Sequence, residues 1–290
     1  MEKDRIEEAI IEEPEEVPRS SWVLVGQFFI VPVIIVALCV GIFLLFGLIT
    51  HDSRTARDYL DEIKAGRGNR WQAAFELSKF LTANGEAQDQ RLARDVSALF
   101  RSSKDDDPRI RQYLALALGR LHDPIGVPPL VESLAEANPD IQLYAAWALG
   151  ELRDARAVEA LSKLTEGQDT NVRKMAIFSL GLIQDPRAIP PLQTTLNDPH
   201  PDIRWNSALA LARLGDRAGL DTLHQMIDRR YLNSLVDVRD EQKVDAIINA
   251  VKALALLKDS SARSQVQTLS KTDPDVKVRS AALDALRQIP

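Results

Sequence analysis

The 290-residue sequence predicts an all-α chain: a single transmembrane helix followed by a right-handed α-solenoid of about six helical hairpins. Three observations predict it. Residues 22–49 form a 28-residue run without one formal charge. Residues 107–216 hold four gap-free copies of one pattern at a period of 31. Leu and Ala dominate the second half, a composition that suits close-packed helices.

The elements follow in order. Residues 1–21 hold eight acids against Lys3, Arg5 and Arg19, a net of -5; the whole chain carries -6, so the remainder sums to about -1. Such a segment is expected to be an acidic, disordered tail. No part of the chain carries the basic field that condenses on phosphates, so nucleic acid is not an expected partner. As a helix, Trp22 to Ile49 would run ~42 Å at 1.5 Å per residue, longer than the ~20 residues a bilayer core requires. Its acidic flank, its length and the lack of a small-x-small ending argue against a cleaved leader. These features predict a transmembrane helix at 22–49, the lipid bilayer as a partner, and a single-pass placement in a bacterial plasma membrane. The basic residues flanking the span nearly tie, Lys3, Arg5 and Arg19 against Arg54, Arg57, Lys64 and Arg67. The side of the solenoid stays open, with a lean to the cytoplasm. Residues 50–68 are expected to form a juxtamembrane stalk: a helix from Arg54 to Lys64, then a Gly-Arg-Gly-Asn break. The one cysteine, Cys39, permits neither a disulfide framework nor a zinc pair.

Residues 69–290 carry the repeats. The central copies read DPRIRQYLALALGRLHD from Asp107, NPDIQLYAAWALGELRD from Asn138, DTNVRKMAIFSLGLIQD from Asp169 and HPDIRWNSALALARLGD from His200. Each is followed by a second apolar-periodic stretch. Ile110, Ile141, Val172 and Ile203 open the buried face of a first helix, and Leu118, Leu149, Leu180 and Leu211 continue it eight residues on. Gly119, Gly150, Gly181 and Ala212 come next; small residues there predict a close helix contact. Asp123, Asp154, Asp185 and Asp216 fall in the turn and are expected to cap a second helix starting near Val127, Val158, Ile189 and Leu220. That helix buries Leu130, Leu161, Leu192 and Leu223. Arg111, Arg173 and Arg204, with Gln142, share a column best explained as an Arg–Asp ladder between repeats. Divergent copies from Arg70, Gln90, Val244 and Asp275 flank these four, as capping repeats do.

The pattern D-x-x-V-R-x-x-A-x-x-A-L-G-x-L-x-D-x-R-A-V-x-x-L resembles HEAT-like repeats of the phycobilisome-lyase type, over roughly residues 68–290. The resemblance implies an armadillo-like α-solenoid. It does not fix a function, because this repeat occurs in scaffolds, lyases, hydroxylases and adaptors. Deoxyhypusine hydroxylases of similar architecture use repeated His-Glu pairs for iron. None of His51, His122, His200 and His224 is followed by Glu, so no metal or cofactor is expected. No nucleophile stands in a recognisable motif, and we expect no enzyme and no small-molecule substrate.

The predicted function is a membrane-anchored scaffold or adaptor that binds protein partners. The alternatives are an accessory subunit of a larger membrane complex and an enzyme of the lyase or hydroxylase type. Stacked repeats present successive second helices on a concave surface, whose outward positions include Glu132, Ser162, Lys163, Gln193, Thr194, His224 and Gln225. A second candidate is an insertion near 229–243: Leu211 and its counterpart Leu254 are 43 residues apart instead of 31. Insertions in repeats map to loops on one face, and Arg229, Arg230 and Tyr231 combine charge with an aromatic ring.

Overall fold

A computed structural model describes residues 26, 30–49, 54–66, 68–84 and 89–290. All regular structure among them is helical. The chain divides into two units, Met1–Arg54 and Thr55–Pro290.

In the first unit, α1 spans Val31–Ile49. Its apolar side chains are exposed all round, from Ile30 through Leu45. The expectation of a transmembrane helix at 22–49 is corrected here: among the described residues no helix is long and apolar enough to cross a membrane. The bilayer as partner, the single-pass placement in a bacterial plasma membrane and the lean to a cytoplasmic solenoid fall with it. The acidic tail at 1–21, and residues 22–25 and 27–29 of the apolar run, lie outside the described residues.

The second unit begins with α2, Ala56–Ala65. Thr55 and Asp58 form a capping box, each side chain accepting from the other's backbone N–H, and Gly66 ends the helix at φ 66°. Ala56, Leu60 and Ile63 join the core of α3 (Arg70–Asn84) and α4 (Gln90–Ser102). This part of the expected stalk therefore packs as a layer of the second unit.

The repeats follow as pairs: α5 (Pro108–Leu121) and α6 (Val127–Ser133), α7 (Pro139–Leu152) and α8 (Val158–Leu164), α9 (Thr170–Ile183) and α10 (Ile189–Thr195), α11 (Pro201–Arg213) and α12 (Leu220–Met226). Each second helix starts at the residue the period indicates. The eight apolar residues of the two first-helix columns and the four second-helix leucines are all buried. Asp107, Asn138 and Asp169 cap the first helices by accepting from backbone N–H groups two or three residues on. First helices end at a residue in the left-handed region, His122 (φ 48°), Arg153 (φ 50°) and Gln184 (φ 57°); Gly215 (φ 77°) takes this place in the fourth repeat. The turn aspartates differ slightly from expectation. Asp123, Asp154 and Asp185 each accept from the backbone two residues on and cap a one-turn 3₁₀ helix, which leads directly into the second helix.

The glycine column explains how closely first helices stack. A Cβ on Gly119 would lie 2.9 Å from Ala148 Cα, one on Gly150 2.7 Å from Ser179 Oγ, and one on Gly181 2.9 Å from Ala210 Cβ. After α12 the period breaks. The insertion forms α13 (Arg229–Ser234), a short loop, and the extended start of α14 (Asp240–Leu256). α15 (Arg263–Thr272) and α16 (Val276–Leu286) close a second core cluster that runs from Trp205 to Ile289.

Candidate partner-binding surface

The regularly recurring polar residues are consumed inside the fold. Arg111 donates to Phe100 O and pairs with Glu136; Gln142 donates to Leu134 O and Glu136 O; Arg173 donates to Gly167 O and Gln168 O; Arg204 donates to Asp198 O and Pro199 O. The column therefore caps the carbonyls that end the preceding helix or turn. Only Arg173 also reaches an aspartate, Asp198 at 3.5 Å, so the expected Arg–Asp ladder is chiefly an Arg–carbonyl ladder. A second ladder runs through the turns. Arg156 grips Asp154 and reaches Pro124 O of the previous repeat; Arg187 grips Asp185 and reaches Ala155 O. The Arg187 side-chain hydrogen bond holds the Asp185 carboxyl at about 2.

What is left for a partner is the set of positions that do not recur. On the second helices, Glu132, Lys163, Gln193, Thr194 and Gln225 are exposed, and Ser162 is half-buried with its hydroxyl on Val158 O. A cleft of about 450 Å³ between α8 and α10 brings Ser162 and Lys163 together with Glu159, Glu166 and Arg187. Sequence reasoning missed these last three. Glu159 is one turn before Lys163 and pairs with it at 2.9 Å, a spacing visible in the sequence. Thr194 lines a neighbouring cleft with Thr165, Asn197 and His200; Gln193 donates to Asp216 at 3.3 Å.

The insertion is more structured than a loop. Arg229 makes a bidentate pair with Asp273, at 2.7 and 2.9 Å, and the Asp273 side chain has no exposure. The Asp273 hydrogen bond raises the Arg229 pKa above its ordinary value. The Tyr231 hydroxyl accepts from Arg204 at 3.1 Å. These two residues tie the insertion to the repeats; Arg230 is exposed. Between the insertion and the start of α11 lies a cleft of about 510 Å³, lined by Trp205, Leu235 and the 92% exposed Val236 among others.

One cluster has the composition of a hydrolase site. His224 Nε2 lies 2.9 Å from Asp259 Oδ2, and the Ser261 hydroxyl lies 2.8 Å from the same oxygen and 3.3 Å from the same nitrogen. A nucleophile–base–acid relay needs the serine and the aspartate on opposite ring nitrogens. Here both meet Nε2, so the ring cannot pass a proton between them. Arg217 also donates to Asp259. Burial alone would raise the Asp259 pKa; hydrogen bonds from Ser261 and His224, with the charges of His224 and Arg217, outweigh it and lower the net value. His224 is thus a tie between repeats, not the solvated position its place on the second helix suggested. Among the described residues no group of three or more His, Cys, Asp or Glu side chains is placed to hold a metal ion.

Among the described residues the fold is an all-helical repeat solenoid. The family described as HEAT repeats matches residues 96–171 and 159–233, a little under half of the chain. No curated protein matches the sequence. Among solved structures, the chain is similar to the complex of CpcE and CpcF of phycocyanin lyase from Nostoc sp. PCC7120. Sequence identity is 17% and the TM-score 0.55, covering 83% of this chain and 97% of that one. It is also similar to YibA of E. coli, at 16% identity and a TM-score of 0.52, covering 80% and 82%. At these identities the likeness establishes the fold.

Proposed function

We propose that the protein is a non-enzymatic scaffold that holds a protein partner on the outward positions of its second helices and its insertion. The contact set is Glu132, Ser162, Lys163, Gln193, Thr194, Gln225 and Arg230, with His224, Arg229 and Tyr231 holding the frame at its edge. One observation carries the reading. The recurring polar residues make their hydrogen bonds within the fold, whereas the second-helix positions vary in chemistry from repeat to repeat, and Ser162, Lys163 and Thr194 among them line open clefts. That is the division expected when a constant frame presents a surface shaped for one partner. The CpcE–CpcF complex, a helical solenoid chain bound to another chain, supports it by analogy. The Ser261, His224 and Asp259 arrangement, with both partners on one ring nitrogen, weighs against reading that cluster as a hydrolase site.

The test is site-specific photocrosslinking in cells from Lys163 and Gln193, with Lys277, exposed on α16, as control. The expected result is one dominant adduct from both second-helix positions and none from Lys277. Identical backgrounds from all three positions would sink the reading.

A further inference from the structure

The first helices carry a column that the repeat frame leaves incomplete. It reads Arg120, Glu151, Leu182, Arg213 and, across the insertion, Leu256. Arg120 is satisfied twice: its guanidinium lies 4.6 Å from the Trp147 ring centre and 3.7 Å from the Glu151 carboxylate of the next repeat. Arg213 has an aromatic contact from the preceding repeat instead of the following one, and no carboxylate. It stacks 5.2 Å over Phe178, and burial lowers its pKa with no acid to restore it. In the following repeat, the place of Glu151 is taken by Leu256, an apolar side chain 58% exposed.

A cleft of about 450 Å³ opens here, between α11 and α14. Arg213 and Lys252 are its cations, Asn206 and Asn249 its amides, and Leu209 and Leu256 part of its apolar wall. No acidic residue lines it. A half-buried guanidinium without a counter-charge is unfavourable on its own and gains most when a carboxylate arrives in fork geometry. Two cations are too few for a polyanion, in a chain whose overall charge is negative.

We propose that this cleft binds an extended acidic segment of a partner protein, pairing a carboxylate with Arg213 and Lys252 and laying a neighbouring apolar side chain against Leu209 and Leu256. The inference rests on the scaffold reading and adds a second contact face, on the first helices, with a stated chemistry.

The experiment is fluorescence anisotropy of the full chain with a labelled peptide alternating Glu and Leu, and with its Gln-and-Leu counterpart. The expected result is saturable binding of the first peptide, weakened by salt, with the second binding much more weakly. Arg213→Gln is expected to weaken binding roughly tenfold, about 1.4 kcal/mol, and Lys252→Gln by less. Leu256→Glu supplies the missing carboxylate from within. It is expected to raise the melting temperature and abolish binding, while Leu256→Gln does not raise it. Absence of saturable binding would overturn the proposal, as would unchanged binding by both Arg213→Gln and Leu256→Glu. A partner crosslinked from Lys163 in the same chain would show that such a failure belongs to this cleft and not to the scaffold reading.

Discussion

Replacing Gly150 by Ala tests the central packing argument, because a single methyl group meets the neighbouring repeat there. The new Cβ would lie 2.7 Å from Ser179 Oγ, 2.9 Å from its Cβ and 3.0 Å from its Cα. The Ser179 hydroxyl cannot swing away freely: it is fully buried and donates to Ala146 O at 2.7 Å. Overpacking costs ~1–3 kcal/mol, and a buried hydrogen bond left unmade adds ~1–3 kcal/mol. Alanine in a helix interior returns ~1 kcal/mol relative to glycine. The net is a destabilisation of ~1–5 kcal/mol, centred near ~3 kcal/mol. For a unit of this size that lowers the melting temperature by ~6–12 °C, taking ~2–4 °C per kcal/mol. The control is Gly126→Ala. Its Cβ would make only ordinary contacts, the nearest at 3.4 Å to Leu118 Cβ, in a backbone at φ -71° that alanine adopts readily. That change should be neutral or stabilise by ~0.4–1 kcal/mol. Thermal melts followed by circular dichroism would compare the three proteins. If Gly150→Ala melts at or above the parent, the glycine column does not set the spacing of the first helices.

Three further outcomes are expected. Leu161→Ala, at a position with no exposure, should cost ~2–5 kcal/mol in chemical denaturation; Lys163→Ala, which loses only an exposed pair with Glu159, should stay within ~0.5 kcal/mol. His200 begins α11 without a side-chain cap, where Asp107, Asn138 and Asp169 cap theirs; His200→Asp should therefore raise stability by ~0.5–2 kcal/mol in the same melts. The lowered pKa of Asp259 gives stability that is fully present above the ordinary carboxylate value of ~3.9 and is lost as pH falls through the lower folded value. The parent should lose melting temperature more steeply below about pH 4 than Asp259→Asn, which at neutral pH should be the less stable because Arg217 and His224 lose the shared carboxylate charge and one of its two acceptor oxygens; parallel acid profiles would refute the assignment.

The repeat frame was legible because its causes are periodic. The Ile110 and Leu118 columns, the second-helix starts at Val127 and Val158, and the close contact at Gly119 all follow from a spacing of 31. The asymmetric features were less legible. Nothing local marks Asp273 as the fully buried partner of Arg229, 44 residues away. The insertion near 229–243 read as a loop, yet its first six residues form α13, because Asp228 caps them and Leu232 is buried. The membrane expectation rested on an uncharged run of 28 residues, whereas among the described residues no helix is long and apolar enough to cross a membrane. Of the candidate site, second-helix exposure at Glu132, Lys163 and Gln193 followed from helical phase. His224 did not, because its phase says nothing of Asp259 from the next hairpin.

The location of function in a repeat array follows from where the repeat fails. A polar residue that recurs at every period answers a need that also recurs, and Arg111, Arg173 and Arg204 show it by capping the same class of carbonyl each time. Arg213 belongs to a column in which the need is met once, between Arg120 and Glu151, and unmet where twelve extra residues separate the next copy. Leu256 thus leaves a neighbouring cation without an internal counter-charge, beside the surface that the insertion adds. A partner carboxylate can supply what the next repeat would otherwise have supplied. On that argument the Leu256→Glu variant is the sharper probe of the array, because it should close the cleft by restoring the repeat.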